Sequence, residues 1–262
     1  MNSKSNGWAW MHRLLEAEFA ILAGNRHTED SSVPGNATLG AVTDLLRSSY
    51  SLLIARWREG ERSPSDKNWR WKQHKKYTSH KESEIGLERE ICKLDEEGRE
   101  WTNQVPTCSG LFNEWGRRSN VDLAGLNGPH LELIELKIAR PRADRPEFAA
   151  REIIIHGLLY LLTCRHRHEL PQFDDRKLLD ASRVQLSVLA PFKYYKYKDS
   201  KINGSALRWM ESLLDRGISA LCRELVPELK MRFRFQTFPE WFDWPRDEQR
   251  LAEALRDRHC AY

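Results

Sequence analysis

Apolar positions recur at helical spacing over 8–23 and again over 38–58, on either side of the polar, Gly/Pro/Ser-rich stretch 24–36. That pattern predicts an N-terminal helical hairpin. A basic, Trp-rich stretch, 61–80, links it to the rest of the chain, and a helical period returns over 82–97 until Gly98 stops it. Residues 100–115 read as strand with turns, and two short strands come next at 118–126 and 130–139. The next segment is apolar nearly all round as far as Arg165, which predicts a buried helix, with Asp144 as a cap and Pro146 in its first turn. A buried strand over 183–190, a helix over 203–225, a strand of alternating basic and aromatic residues over 230–238, and a short helix over 246–258 complete the chain.

The order of helix, strands, buried helix, strand, helix, strand predicts an α/β core with helices on both faces of a mixed sheet. The expected organisation is a helical extension over 1–60, the linker 61–80, a core over 81–240 and a C-terminal tail helix over 241–262.

Composition narrows the class. At 40% hydrophobic residues and a well-mixed net charge of +4, the 262-residue chain has material for a core and is unlike a disordered one. The mild basic excess permits a nucleic-acid partner. Cys92, Cys108, Cys164, Cys222 and Cys260 are scattered and contain no CxxC, so neither a zinc ribbon nor a disulfide framework is expected. The Cys164-x-His166-x-His168 run is too tightly spaced for a structural zinc site. No apolar run reaches membrane-span length, and the N-terminus lacks the order of a signal peptide. A cytoplasmic protein is expected, and a homo-oligomer is compatible with the sequence.

Three charges interrupt the two central strands: Asp122 in the first, Glu135 and Lys137 in the second. Lone charges are expensive in a strand bound for a core. Residues two apart share a strand face, so Glu135 and Lys137 project together, while Ile134, Leu136 and Ile138 cover the other face. If the strands pair, Asp122 and Glu135 converge, and two buried carboxylates need a cation between them. Such hard oxygen ligands suit Mg²⁺, with Mn²⁺ as a substitute, and a lysine beside them could hold the attacking water. The same three charges could instead be a structural ion-pair cluster on a solvated sheet face.

Asp122, twelve intervening residues and then Glu135-Leu136-Lys137 resembles the PD-(D/E)XK nuclease superfamily, the restriction-endonuclease-like group. The resemblance covers roughly 80–200 and implies an α-β-β-β-α-β core. It implies Asp122 and Glu135 as metal ligands and Lys137 as the catalytic lysine. It also implies a glutamate from the first core helix. Glu84 fits, because Glu84-x-x-Leu87-x-x-x-Ile91 is similar to that helix's pattern; Glu88, one turn on, is the accessory candidate. His156-x-x-x-Tyr160 stands where some branches carry Gln-x-x-x-Tyr. Val121 precedes the first Asp where proline is common. Asp-x-Lys or Glu-x-Lys recurs at Asp175, Asp199 and Glu228, but only at Glu135 does it combine an acidic strand before it with a buried helix after it.

Two basic and aromatic stretches are candidates for nucleic-acid contact: 56–77, with Trp69 and Trp71, and 192–198, with Lys193, Lys196 and Lys198. Cations attract phosphates and aromatic faces stack on bases. The sequence therefore predicts a Mg²⁺-dependent nuclease acting on DNA rather than RNA. The alternative is a non-catalytic nucleic-acid-binding or structural module on the same fold.

Overall fold

The computed structural model describes residues 39–59, 65–73, 82–94, 100–111, 120–139, 145–196 and 204–262. The expected helix over 8–23, much of the linker 61–80, Asp144 and Lys198 lie outside them.

Two helices come first in the described chain, α1 (Leu39–Glu59) and α2 (Glu84–Ile91). Ser83 caps α2, accepting from Gly86 N at 3.0 Å. Then β1 (Glu100–Pro106), β2 (Asn120–Asn127) and β3 (His130–Leu136) form an antiparallel meander. β2 turns into β3 across Gly128 and Pro129, with Gly128 at φ 54°. A two-residue hairpin turn needs that left-handed conformation, which glycine takes without strain.

β4 (Arg183–Pro191) and β5 (Lys230–Phe238) extend the sheet in parallel with β3. A parallel return needs a crossover, and α3 (Pro146–Arg165) and α5 (Gly204–Leu225) supply the two. The one-turn α4 (Phe192–Tyr195) comes directly after β4. α3 lies so close to the sheet that a Cβ at Gly157 would run into Leu186 of β4. After β5 come α6 (Leu251–Arg256) and β6 (His259–Cys260), which pairs antiparallel with Gln236 and Thr237. The strand order is β1 to β6 in sequence.

The sheet separates two apolar clusters. The larger holds Leu131 and Leu133 with residues of α1, α3 and α5; the smaller holds Ile134, Leu136 and Ile138 with Leu87, Ile91 and the α6 residues Leu251 and Leu255. β3 thus splits its apolar residues by parity, as its alternation predicts. No helix among the described residues is long and apolar enough to cross a membrane.

Three details differ from the expectation. α1 joins the same cluster as α3 and α5 through Val42, Leu46, Tyr50 and Leu53, so this part of the extension packs on the core. The described turns of the second helix stop at Ile91, with its N–H pattern closed by Cys92. The tail beyond 240 adds a strand to the sheet, and Tyr262 Oη donates to Glu211 Oε1 of α5 at 2.7 Å. Because β6 covers only the end of β5, two acids of α5 take the remaining edge: Phe233 N donates to Asp215 and Phe235 N to Glu211. Exposed strand edges invite foreign pairing, and these bonds close this one.

Candidate functional site

The strands β2 and β3 remain paired up to Leu123 opposite Ile134. One step further, Asp122 comes level with Glu135. There the Asp122 carboxylate takes over from the backbone, accepting from Leu136 N at 2.9 Å. On its other side β3 stays attached to β4, with Lys137 N donating to Leu189 O at 2.9 Å. The two strand acids and the lysine are therefore fixed by the sheet at the carboxyl end of β3.

Lys137 Nζ lies 2.6 Å from Glu135 Oε1 and 3.0 Å from Glu152 Oε2. Glu135 and Lys137 are both buried, while the Glu152 side chain keeps 33% of its surface open. Glu152 sits on the second turn of α3, and its role was not read from the sequence. In the sequence it stands beside Arg151, just before the apolar run 153–155.

From α2, Glu84 Oε1 accepts from Ile138 N at 3.4 Å. Glu88, one turn on, accepts from Gln104 Nε2 at 2.7 Å. Gln104 carries a positive φ of 52° in the middle of β1, between Asn103 opposite Leu123 and Val105 opposite Val121. A non-glycine residue there is strained, and such strain concentrates at functional sites. The distortion aims Gln104 at Glu88; no sequence signal foretold it.

Five carboxylates, Glu84, Glu88, Asp122, Glu135 and Glu152, thus share a region with the Lys137 ammonium. Burial pushes Asp122 up to about 6, against the pull of Lys137 and the Leu136 N–H, with Glu84 and Glu152 adding to the rise. Burial and then Asp122 push Glu88 up to about 8 despite the Gln104 bond. Burial and Asp122 hold Glu135 well above the usual carboxylate range, with Lys137 offsetting only part. Burial works against the Lys137 charge, but Glu135, Glu152 and Asp122 outweigh it and keep the ammonium charged. One ammonium facing several acids stays protonated, and the excess acids take up protons: the cluster is short of positive charge.

A cation would make up that shortfall. Among the described residues, no group of three or more His, Cys, Asp or Glu side chains is disposed to hold a metal ion. Mg²⁺ does not require one, since it keeps several waters and is held by one or two carboxylates plus substrate phosphate oxygens. The all-oxygen pair Asp122 and Glu135 fits that requirement.

The accessory candidates on α3 are both buried, His156 one turn beyond Glu152. His156 is buried with Nδ1 3.1 Å from Thr107 Oγ1, and Tyr160 Oη donates to Leu178 O at 2.7 Å. Both are core groups. Trp69 is a correction as well: it is fully buried, donates from Nε1 to Thr163 Oγ1 at 3.0 Å and stands edge-on to Tyr160. A chain reversal at φ 55° turns it inward, so it offers no face to a base. Trp71 is half-buried, with Lys177 Nζ 3.7 Å above its ring, a cation already in place on that face. In the second stretch, Tyr194 and Tyr195 are buried, Lys193 is exposed 3.5 Å from Asp243, and Lys196 lies 3.8 Å over Phe192. These lysines come after β4 at the same end of the sheet as Glu135, since Leu189 pairs with Leu136.

No family model, curated protein or solved structure gives a significant match to the chain.

Proposed function

We propose that the chain is a metal-dependent nuclease of the PD-(D/E)XK type, hydrolysing phosphodiester bonds in DNA rather than RNA. The observation that carries the reading is the convergence of Asp122, Glu135, Lys137, Glu84 and Glu88 from three separate elements at one end of the sheet, with more acid than base among them. The order α2-β1-β2-β3-α3-β4 supports the restriction-endonuclease-like fold.

Mg²⁺ or Mn²⁺ held by Asp122 and Glu135 would supply Lewis-acid polarisation of the phosphate. Lys137 has three N–H donors and, among the described residues, two carboxylate partners, and the third donor would serve the attacking water or the developing phosphate charge. Glu152 fixes the direction of the ammonium, as a positioning residue. The bond from Leu136 N engages Asp122 Oδ2, and Oδ1 would be the oxygen offered to the metal. Lys193 and Lys196, beyond the same strand ends, would meet the nucleic-acid backbone.

One observation favours the second reading, a non-catalytic module: Lys137 is already paired with both Glu135 and Glu152, as in a structural ion-pair cluster. The deciding experiment is cleavage of a mixed panel of single- and double-stranded DNA and RNA with Mg²⁺ or Mn²⁺. Wild type is expected to cut DNA, and Glu135→Gln and Asp122→Asn, which preserve shape, to lose at least about 100-fold in rate. Equal cleavage by all three proteins, or none by wild type with either metal, refutes the nuclease.

A further inference from the structure

We propose a second ligand site, for a small phosphomonoester of nucleotide size, at the opposite end of the sheet from the acidic cluster and on the face away from Glu135 and Lys137. β3, β4 and β5 begin in register: His130 stands opposite Arg183, and Arg183 opposite Lys230. Two residues on, Glu132, Gln185 and Arg232 align in the same way. All six side chains share the face that carries Ile134 and Leu136. Towards the carboxyl ends of the strands that face is covered by α2 and α6. Towards their amino ends it opens into a cleft of about 570 Å³, to which the chain between α6 and β6 adds Arg258. A volume in the range of about 300–1,000 Å³ is that of a small-molecule site.

The charges in the cleft do not cancel. Among the described residues, Glu132 is the single acid lining it. It is committed to Arg258 Nη2 at 2.5 Å, Ser187 Oγ at 2.9 Å and Gln185 Nε2 at 3.1 Å. Its role is to hold the Arg258 guanidinium, whose side chain is only 8% exposed. Arg232 is matched by Asp215, 2.7 Å away. Arg183 and Lys230 remain, both exposed at the rim and both without an acidic partner among the described residues. Two uncompensated cations match a phosphomonoester, which carries about −1.5 to −2 at neutral pH, better than a singly charged carboxylate. Deeper in the wall, Arg258 Nη1 and Gln236 Oε1 have no hydrogen-bond partner among the described residues. A buried donor and acceptor left unmet are costly, and a ligand or ordered water meets them. His130 Nε2, 3.4 Å from Arg183 Nη1, completes the rim.

The site is separate from the nuclease proposal. Glu132 and Glu135 lie on opposite faces of β3, and six strand steps separate His130 from Leu136, about 20 Å.

The test is titration calorimetry on the full chain at low ionic strength with excess chelator, using inorganic phosphate and adenosine 5′-monophosphate as probes. One-to-one binding is expected, weakened about tenfold by Lys230→Gln and again by Arg183→Gln, the usual loss for a charge-assisted hydrogen bond. Both positions are exposed, so the fold is retained. Tighter binding of the nucleotide than of phosphate marks an organic phosphate as the ligand; equal binding marks the free anion, and either supports the site. Failure of both probes to bind, or binding that the two substitutions leave unchanged, overturns it. So does a single-stranded oligonucleotide that binds through Arg183 and Lys230 when neither small probe does, which would make the cleft part of a polynucleotide track.

Discussion

Replacing Lys137 with methionine tests the central cluster most directly. The ammonium bridges Glu135 at 2.6 Å and Glu152 at 3.0 Å, with 9% of its side chain exposed. Removing one member of a buried pair typically costs about 3–5 kcal/mol, because the remaining charge is left uncompensated. Here the remaining acids have an escape. Glu135 already sits well above the usual carboxylate range, so without Lys137 it takes a proton instead of staying a buried anion. A carboxyl whose folded pKa lies above its unfolded value contributes stability below the unfolded pKa and loses it as pH rises through the folded one. The loss in Lys137→Met is therefore expected to grow between pH 5.5 and pH 8.5, towards the figure of about 3–5 kcal/mol for an uncompensated buried charge. Glu135→Gln on the same background should recover about half of the loss at pH 8.5. Urea unfolding with chelator, at both pH values, reads all four corners of the cycle. A loss below about 1 kcal/mol at pH 8.5, the figure for an exposed pair, or a loss independent of pH, would refute the buried cluster. The result also governs activity assays: a Lys137 variant must be tested where it is still folded.

Glu88→Gln is expected to stabilise the metal-free protein in alkali, because Glu88 rises from 4.5 to about 8 and its ionisation above that range opposes folding; a gain of about 2 kcal/mol or more at pH 9 and little change at pH 5 would be read by urea unfolding, and equal effects at both would contradict its burial. Trp69→Ala should cost about 3–5 kcal/mol of stability while leaving single-strand binding unchanged, as a core residue does; an unaltered midpoint with weakened oligonucleotide anisotropy would reverse that assignment. Neutralising Lys193 and Lys196 together should flatten the slope of log K against log salt on duplex DNA by about 0.9 for each phosphate no longer neutralised; an unchanged slope would make them plain solvated surface.

Much of this architecture was legible because it depends on short-range pattern. Alternation within β3 assigns Leu131 and Leu133 to one face and Ile134 and Leu136 to the other, and a period of two survives any packing arrangement. The same holds for Glu84 and Glu88, whose spacing puts them on one side of α2 however that helix docks. The charges inside β2 and β3 stood out because burying them without partners is so unfavourable that their presence in apolar strands calls for a reason.

What required the tertiary structure is whatever depends on distant segments meeting. Glu152 reaches Lys137 only because α3 crosses back over the sheet. Trp69 looked like a surface residue among cations, yet a left-handed backbone turn drives it beneath Thr163 and Tyr160. β6 is two residues long, too short to hold any periodicity, and exists because Gln236 and Thr237 present it with an edge. The basic cleft was the least visible feature. His130, Arg183 and Lys230 are dispersed along the sequence, and their charges add only because β3, β4 and β5 lie side by side in register. Hydrophobic period is a property of neighbours along the chain, whereas an electrostatic site is a sum over neighbours in space.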